Sequence, residues 1–332
     1  MNIPPSPERI LEHAYGYWAS AILAAAIRHD MFSKLEAGPA TVDALAVRLG
    51  ISSRSTQAML DALLGMGLVS RSDGAYTNTV EASHYLVRDK LSYLGGYADM
   101  IQHTWRDWEQ LPEVVAAGKP LHRHEQPSAE NPFWENLVLA LAPLAAEPAR
   151  RAAITLRIED HRAPSILDIA GGAGAFSAAW LAINPTAHAT QLELPNVNTI
   201  AQRYVSRVGV LDRFHTIDGD MEQADLGVSQ YDYVIYANIA HGLSEARNTQ
   251  MFRKIRRALH STGALVVVGL MPSDDRTGHP LLLRFNVNMI LNTAEGATHL
   301  RSEYDAWLRE AGFTRVDFEA CHGVPFTIIY AR

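Results

Sequence analysis

The sequence predicts an α/β protein in two parts, a mainly helical N-terminal region and a C-terminal region built on a doubly wound sheet. Two observations predict this fold class. Helical apolar spacing and then a hairpin signal occupy the first hundred residues, and strand and helix patterns alternate from residue 164 onward. A chain of 332 residues can hold two domains. We expect domains at residues 1–100 and 161–332, with 101–160 as a helical connector that roofs a substrate pocket.

The N-terminal region has the element order of a winged helix. Apolar residues at helical spacing predict one long helix over residues 8–37, and Thr41 and the serines at 52–53 can cap two more helices. A hairpin signal follows, because Asp73 and Gly74 separate two short extended runs. Helix, helix and hairpin in this order are typical of a winged helix.

A winged helix can read DNA or pair subunits, and the sequence favours pairing. The third helix, at residues 53–66, offers only Arg54 and Gln57 as base-reading side chains, with Asp61 opposing them. The Ala-rich first helix has more apolar surface than one small domain covers. We therefore expect a homodimer held by this domain, with a ligand-sensing transcription regulator as a remote alternative.

Composition narrows the class of partner. The net charge of −7, with acids and bases interspersed, gives no basic footprint for nucleic acid. No apolar run has the length of a membrane span, and the start has no signal-peptide pattern. The single cysteine, Cys321, excludes an intramolecular disulfide. We expect a cytoplasmic protein that binds neither nucleic acid nor membrane.

The C-terminal region predicts a Rossmann-like sheet of seven strands. The run "GALVVVGL" is apolar throughout, as in a strand that is buried on both faces. The last two extended runs are joined by a short turn, which makes that pair antiparallel and reverses the last strand. Ligands of such sheets bind at the carboxyl ends of the strands, near the point where strand order reverses.

The stretch "LDIAGGAGAF" joins the first of these strands to a helix. Three interpretations compete: a dinucleotide site, a site for another adenosine-bearing cofactor, or a tight turn without a ligand. Asp168 precedes Gly171, Gly172 and Gly174, and this spacing differs from the G-x-G-x-x-G of a dinucleotide site. An acid within the turn repels a pyrophosphate but attracts an ammonium group.

Two more acids, Glu193 and Asp220, end the next two strands. Glu193 lies where a carboxylate can bind both ribose hydroxyls, and Asp220 lies where a side chain can contact an adenine. An amine, a ribose and an adenine without a phosphate describe S-adenosylmethionine (SAM). We therefore predict SAM as the cofactor.

These motifs resemble those of the caffeic-acid-type small-molecule O-methyltransferases, in particular the branch found in bacterial secondary metabolism. "LDIAGGAGAFS" is similar to the D-x-G-G-G-x-G loop of that family, with Ala170 replacing the first glycine. "LELPNV" resembles its D-L-P-x-V motif and adds Leu194 to the cofactor contacts. "IDGDM" resembles its G-D-M motif, which implies that Asp220 and Met221 contact the adenine. "YANIAHGLSE" resembles the segment with the catalytic histidine and gives that role to His241.

The resemblance implies a SAM-dependent methyltransferase with a winged-helix dimerisation domain. The implied reaction is O-methylation of a hydroxyl on a small aromatic or polyketide-like secondary metabolite, with His241 as general base. Two departures stand out, because Gly269 and Thr298 occupy positions where the family often has glutamates beside the histidine. N- or C-methylation, or a reaction that binds SAM without methyl transfer, therefore remain alternatives.

Residues that line the substrate pocket are harder to predict. Our candidates are aromatic, thioether and amide side chains in the connector or directly before it, and on a helix inserted near residue 285: Met100, His103, Phe133, Trp134, Asn286 and Met289. His241 and His299 could meet above the cofactor, but two distant histidines are weak evidence for a metal. We predict no metal site.

Overall fold

A computed structural model gives the fold of residues 5–121 and 132–332, with side chains described from residue 135 onward in the second range. The chain forms two compact units, Met1–Arg106 and Asp107–Arg332. Each unit is described by itself below. The division into three regions expected from the sequence stays a prediction.

The first unit contains seven helices and one hairpin among its described residues. They are α1 (Glu8–Ala14), α2 (Gly16–Arg28), α3 (Met31–Glu36), α4 (Val42–Leu49), α5 (Ser53–Gly65), β1 (Val69–Ser72), β2 (Ala75–Asn78), α6 (Val80–Tyr85) and α7 (Gly96–Glu109), whose last turn passes the unit boundary. The single helix predicted over residues 8–37 is wrong. It is three helices, because the chain turns at Tyr15 and Asp30 adopts a left-handed conformation with φ of 57°.

The predicted winged-helix elements are confirmed. Thr41 Oγ1 accepts a hydrogen bond from the Ala44 amide at 3.3 Å and caps α4, and Ser52 caps α5 in the same way. Asp73 and Gly74 both have positive φ, as a two-residue hairpin turn requires. The local turn chemistry of the sequence therefore specifies this part of the fold.

An aromatic surface lies on the first two helices. The exposed apolar side chains are Ile10, Leu11, Tyr15, Tyr17 and Trp18. The rings of Tyr15 and Trp18 lie 4.5 Å apart between centroids, and Tyr17 packs edge-on against Trp105. Large apolar side chains grouped on one surface are typical of a protein interface.

The second unit alternates strands and helices. Its elements are α8 (Leu111–Ala117), α9 (Pro132–Leu141), α10 (Ala146–Leu156), β3 (Ser165–Ile169), α11 (Ala175–Ile183), β4 (His188–Glu193), α12 (Pro195–Val208), β5 (Phe214–Asp218), β6 (Tyr231–Ala237), α13 (Glu245–Ala258), β7 (Leu259–Gly269), α14 (Pro280–Asn292), α15 (Arg301–Glu310), β8 (Val316–Ala320) and β9 (Thr327–Ala331). Short 3₁₀ turns connect several of them, including Ala240–Gly242.

The seven strands form one sheet in the order β5-β4-β3-β6-β7-β9-β8. Strand β9 is antiparallel to both β7 and β8, and the other pairs are parallel. The predicted sheet with its reversed last strand is therefore confirmed. Strand order reverses between β3 and β6, so the carboxyl ends of these two strands border the crevice where such sheets bind ligands.

Both faces of the central strands of the sheet are buried. Along β7, Val266 packs into the cluster that contains Trp180 on one face, and Val267 packs into the cluster that contains Phe252 on the other. A strand covered on both sides has no polar face, which explains its continuous apolar sequence. Among the described residues, no helix has the length and apolar character needed to cross a membrane.

Candidate functional site

The turn after β3 brings backbone close to two buried side chains. Strand β3 ends at Ile169, one residue after Asp168. A Cβ atom on Gly171 would lie 2.6 Å from Asp168 Cγ and 2.6 Å from Gln191 Oε1, so only glycine fits at this position. Gly174 has φ of 71° and lies at the start of α11. The turn therefore has no side chain at Gly171 that would keep a ligand away from the backbone.

Asp168 lies beneath this turn and is almost completely buried, with 1% of its surface exposed. The Ser177 hydroxyl donates to Asp168 Oδ2 at 2.7 Å, while Oδ1 has no hydrogen-bond partner in the described chain. Burial, with a smaller contribution from the nearby Glu193 carboxylate, raises the pKa of Asp168 to about 6, although the hydrogen bonds from Ser177 lower it. The carboxylate is thus an unbalanced negative charge that a cationic ligand group would stabilise.

Glu193 is the last residue of β4 and is only partly buried. Its carboxylate accepts hydrogen bonds from the backbone amides of Leu194 at 2.8 Å and Gly172 at 3.2 Å. Burial raises the pKa of Glu193 above its ordinary value, although both hydrogen bonds lower it. The geometry places the side chains of Glu193 and Asp168 at adjacent strand ends, on either side of the glycine turn.

Two polar side chains that the sequence analysis missed hold this corner together. Asn198 Nδ2 donates to the carbonyl of Glu193 at 3.1 Å, to the carbonyl of Ile217 at 3.0 Å and to Asp218 Oδ1 at 2.7 Å. Gln191 Nε2 donates to Asn198 Oδ1 at 3.2 Å and to the carbonyl of Gly172 at 3.1 Å. Both side chains are buried. They connect the glycine turn to the ends of β4 and β5.

The sequence contains a signal for one of these two residues. Gln191 stands within "HATQLEL", on a strand with parallel neighbours on both sides, where buried positions are ordinarily apolar. A buried amide in such a strand needs partners, so its presence indicates a hydrogen-bonded network. Asn198 on α12 gives no comparable signal, because polar residues are common on helices.

Asp220 and Met221 lie in the turn after β5. The strand ends at Asp218, two residues earlier than the prediction that Asp220 ends it. Asp220 is exposed, and its Oδ1 accepts a hydrogen bond from the Glu222 amide at 2.8 Å. Lys254 Nζ donates to the carbonyl of Met221 at 2.9 Å and fixes the turn against α13.

His241 lies in the 3₁₀ turn that follows β6. Its ring packs edge-on against Phe285, with 5.0 Å between ring centroids. Burial lowers the pKa of His241 to about 4, and His299 contributes by charge repulsion. The imidazole is therefore neutral at pH 7 and can accept a proton. Within the described chain, no hydrogen bond to either ring nitrogen is found.

His299 is buried and already has a partner. Its Nε2 lies 3.0 Å from the carbonyl oxygen of Leu243, and its ring packs edge-on against Trp307 at 4.8 Å. In residues 5–121 and 132–332, no three His, Cys, Asp or Glu side chains gather in a way that could hold a metal ion.

The predicted substrate residues lie in several places. Met289 is buried on α14, and Asn286 on the same helix accepts a hydrogen bond from the Thr298 amide at 2.8 Å. Met100 and His103 lie on α7 in the first unit. Phe133 and Trp134 lie on α9, but their side chains fall outside the described residues.

Family models match both regions of the chain. The O-methyltransferase domain matches residues 152–314, and the O-methyltransferase dimerisation domain matches residues 11–88. The two matches follow the order of the predicted winged helix and the doubly wound sheet.

Individual proteins match over nearly the full length. The chain is 32% identical to 3-hydroxy-5-methyl-1-naphthoate 3-O-methyltransferase of Streptomyces sahachiroi, over 93% of this chain and 90% of that protein. It is 28% identical to the tetracenomycin polyketide synthesis 8-O-methyl transferase TcmO of Streptomyces glaucescens, over 98% and 96%. The crystal structure of human N-acetylserotonin methyltransferase in complex with SAM has the same fold, with a TM-score of 0.83, 23% identity, and coverage of 100% and 99%.

Proposed function

Because this chain belongs to the O-methyltransferase family, we propose that it transfers the methyl group of SAM to a hydroxyl of a small aromatic or polyketide-like molecule. The observation that carries the proposal is the corner formed by the glycine turn, Asp168 and Glu193. Two carboxylates beside a glycine turn at the start of a helix suit a ligand with an ammonium group, a ribose and a carboxylate.

The residues of this corner fit SAM. The Glu193 carboxylate would accept hydrogen bonds from the ribose hydroxyls, and the Asp168 carboxylate beneath the turn would balance the charge of the ammonium group. Gly171, Gly172 and Gly174 would let the backbone approach the ligand. Leu194, Asp220 and Met221 complete the site on the adenosine side. When bound, SAM supplies a methyl group already activated by its sulfonium centre.

His241 acts on the acceptor. Its neutral imidazole accepts the proton of the acceptor hydroxyl while the oxygen forms its bond to the methyl carbon and the bond from carbon to sulfur breaks. The proton ends on the imidazole, the methyl ends on oxygen, and S-adenosylhomocysteine leaves. Orienting the two reactants supplies most of the acceleration, and the base adds about 10²–10⁴-fold.

The acceptor class follows from the relatives and from the site. The two Streptomyces relatives are named for methylation of a hydroxynaphthoate and of a polyketide. Phe285 and the buried Met289 give α14 apolar side chains that suit a flat ring. An aromatic hydroxyl compound of comparable size is therefore the acceptor that we propose.

A substrate screen tests this function. The purified protein is incubated with SAM and a panel of mono- and polycyclic phenols, naphthols and polyketides, and products are separated by mass spectrometry. We expect at least one acceptor to gain one methyl group while S-adenosylhomocysteine accumulates, and both signals to fall in the Glu193→Gln variant. Methylation of amines alone would contradict the proposal, as would SAM-dependent conversion without a methylated product.

We also propose a homodimer held by the first unit. The exposed aromatic surface of α1 and α2 supplies the apolar contact area, and the matched dimerisation domain covers the same residues. Light scattering at micromolar concentration should give twice the chain mass. Replacing Tyr17 and Trp18 by Ser should shift the protein toward the monomer, and an unchanged dimer would place the interface elsewhere.

A further inference from the structure

The segment at residues 293–298, which we call the clasp, lies directly against the backbone of the His241 turn. The Ala297 amide donates to the carbonyl oxygen of His241 at 2.9 Å. A Cβ atom on the neighbouring Gly296 would lie 2.5 Å from the same oxygen and 3.1 Å from Gly242 Cα. The clasp therefore contacts the His241 backbone at two successive residues, and one of them has no room for a side chain.

Two polar side chains hold the clasp in place. Thr293 Oγ1 donates to the carbonyl of Met289 at 2.7 Å and accepts from the Gly296 amide at 3.0 Å. Asn286 Oδ1 accepts from the Thr298 amide at 2.8 Å. A backbone amide can only donate, so the oxygen of the Asn286 side chain must face the clasp and its NH₂ group must face away. Both ends of the clasp are thus tied to α14.

The opposite side of the His241 turn is held as well. The buried Asn248 donates through Nδ2 to the carbonyls of Ala240 at 2.9 Å and Leu243 at 3.2 Å. By contrast, no side-chain hydrogen bond holds the His241 ring among the described residues, and its ring packs edge-on against Phe285. The position of the imidazole therefore depends on where its backbone is held.

We propose that Asn286 and Gly296 are positioning residues for His241, and that the clasp does the work that a carboxylate bonded to the imidazole would otherwise do. Asn286 is then a support for the base and not a substrate contact. This inference rests on the proposed role of His241 as the base.

Two substitutions of Asn286 separate support from substrate contact. Asn286→Asp keeps the oxygen that faces Thr298 but loses the NH₂ group, and Asn286→Leu loses both. If the residue supports the base, Asn286→Leu should lower kcat about 10- to 100-fold with little change in KM, because small misplacements of a catalytic group have large effects. Asn286→Asp should restore kcat to within a few-fold of the wild type. Equal loss in both variants, with a raised KM for the acceptor, would overturn the proposal.

Gly296→Ala probes the other contact. The added methyl collides with the His241 carbonyl, so kcat should fall while SAM affinity, measured by calorimetry, stays the same. Gly65→Ala is the matched control, because a Cβ there meets no atom within 4 Å. Wild-type kcat in the Gly296→Ala variant would contradict the proposed contact.

A measurement that does not depend on catalysis separates the proposed role of the clasp from the proposed role of His241 as the base. The His241 ring resonance is assigned by NMR from its loss in His241→Gln, and it is titrated in the wild type and in Asn286→Leu. A released ring gains solvent, so we expect its pKa to rise from its low value toward the ordinary one. An unchanged titration overturns the clasp even if His241→Gln abolishes methyl transfer. A shifted titration supports the clasp even if His241→Gln costs no activity, in which case only the base role fails.

Discussion

The two sides of the site are built differently. On the proposed cofactor side, four buried polar side chains form hydrogen bonds with one another and with the backbone: Asp168, Ser177, Gln191 and Asn198. Asn198 also bonds to the exposed Asp218 at the end of β5. On the proposed acceptor side, after β6, the His241 ring has an aromatic neighbour, and its backbone carries the hydrogen bonds.

Because the two sides are held by different contacts, substitutions should affect them in different ways. When one member of a network of buried side chains is removed, several other groups lose a hydrogen-bond partner. Each orphaned group retains its desolvation cost, so stability falls. The His241 ring is held through its backbone, so its position is sensitive instead to sub-ångström shifts of the clasp. Substitutions on the cofactor side should therefore change affinity and stability, and substitutions on the acceptor side should change kcat.

The largest expected effect is that of His241→Gln. This variant should keep its SAM affinity and lose about 10²–10⁴-fold in kcat, because it lacks the proton acceptor. The loss should shrink for acceptors that are already ionised at the assay pH. Steady-state kinetics with a series of phenols of falling pKa measures this trend, and an equal loss across the series would mean that His241 only orients the acceptor.

The pH dependence of the wild type sharpens the same point. A base works in its neutral form, so its contribution is present above its pKa and is lost as the pH falls through it. With the pKa of His241 lowered to about 4 by burial, kcat for a weakly acidic phenol should show no fall attributable to this residue between pH 8 and pH 5. An inflection near pH 6.5 would contradict the buried environment of the ring.

Glu193→Gln is the next largest change, and it acts on the cofactor side. The amide keeps one acceptor oxygen but loses the charge that strengthens its hydrogen bonds to the ribose. One charge-assisted bond contributes about 1.5–3 kcal/mol, so SAM affinity should fall about 10- to 150-fold. Calorimetry measures it directly. Unchanged affinity would place the ribose elsewhere, and Glu303→Gln serves as a distant control, because the Glu303 carboxylate accepts from the Leu300 amide at the start of α15.

Asp168→Asn should stabilise the cofactor-free protein at neutral pH. The pKa of Asp168 is raised to about 6 in the fold from its ordinary value of 3.8, so its ionisation destabilises the fold as the pH rises from about 4 to about 6. The variant avoids that cost, keeps an oxygen for Ser177, and adds a donor near the unpartnered Gln191 Oε1. We expect a gain of up to about 3 kcal/mol at pH 7.

Urea unfolding at pH 4 and pH 7 checks this expectation. The gain should be present at pH 7 and nearly absent at pH 4, where the wild-type carboxyl is protonated. SAM affinity should fall in the same variant, because the charge that balances the ammonium group is gone. A variant that is less stable than the wild type at pH 7 would show that the ionised carboxylate has a partner in solution.

The smallest expected effect is that of Ala170→Gly. Ala170 has φ of 52°, a conformation that costs an L-residue about 1–2 kcal/mol. Glycine removes this strain, but the greater flexibility of the unfolded chain lowers the free energy of unfolding by about 0.4–1 kcal/mol. The net stabilisation should be about 0.5–1 kcal/mol. Gly172→Ala, at φ of 57°, is the matched reverse and should destabilise the protein by a similar amount.

Much of the fold follows from local sequence. The apolar run of β7 and the short turn before β9 predicted a sheet with a reversed last strand, and both features depend on neighbours in the chain. The first helix was predicted wrongly, because apolar spacing continues through Asp30 although the backbone there is left-handed. Periodicity describes which face is apolar and does not detect a single residue that breaks the helix.

The candidate site was predictable where it depends on strand ends. Asp168 and Glu193 are found by reading the residues that close successive strands, and the structure places both carboxylates beside the glycine turn. The contacts of Asn198 and Asn286 were not predictable, because each contact depends on how a helix packs and not on spacing. The substrate contact expected of Asn286 stays a prediction, and the oxygen of its side chain accepts a hydrogen bond from the Thr298 amide.

The weakly basic ring of His241 constrains the timing of the proposed reaction. A phenol with a pKa of about 10 gives up its proton to an imidazole of pKa about 4 only at a cost of about 8 kcal/mol, from the six-unit difference. A free phenolate should therefore not accumulate before the methyl moves. Proton transfer must accompany formation of the new bond from carbon to oxygen, when the hydroxyl becomes far more acidic. The same low basicity then lets the imidazolium pass its proton to water without delaying the next turnover.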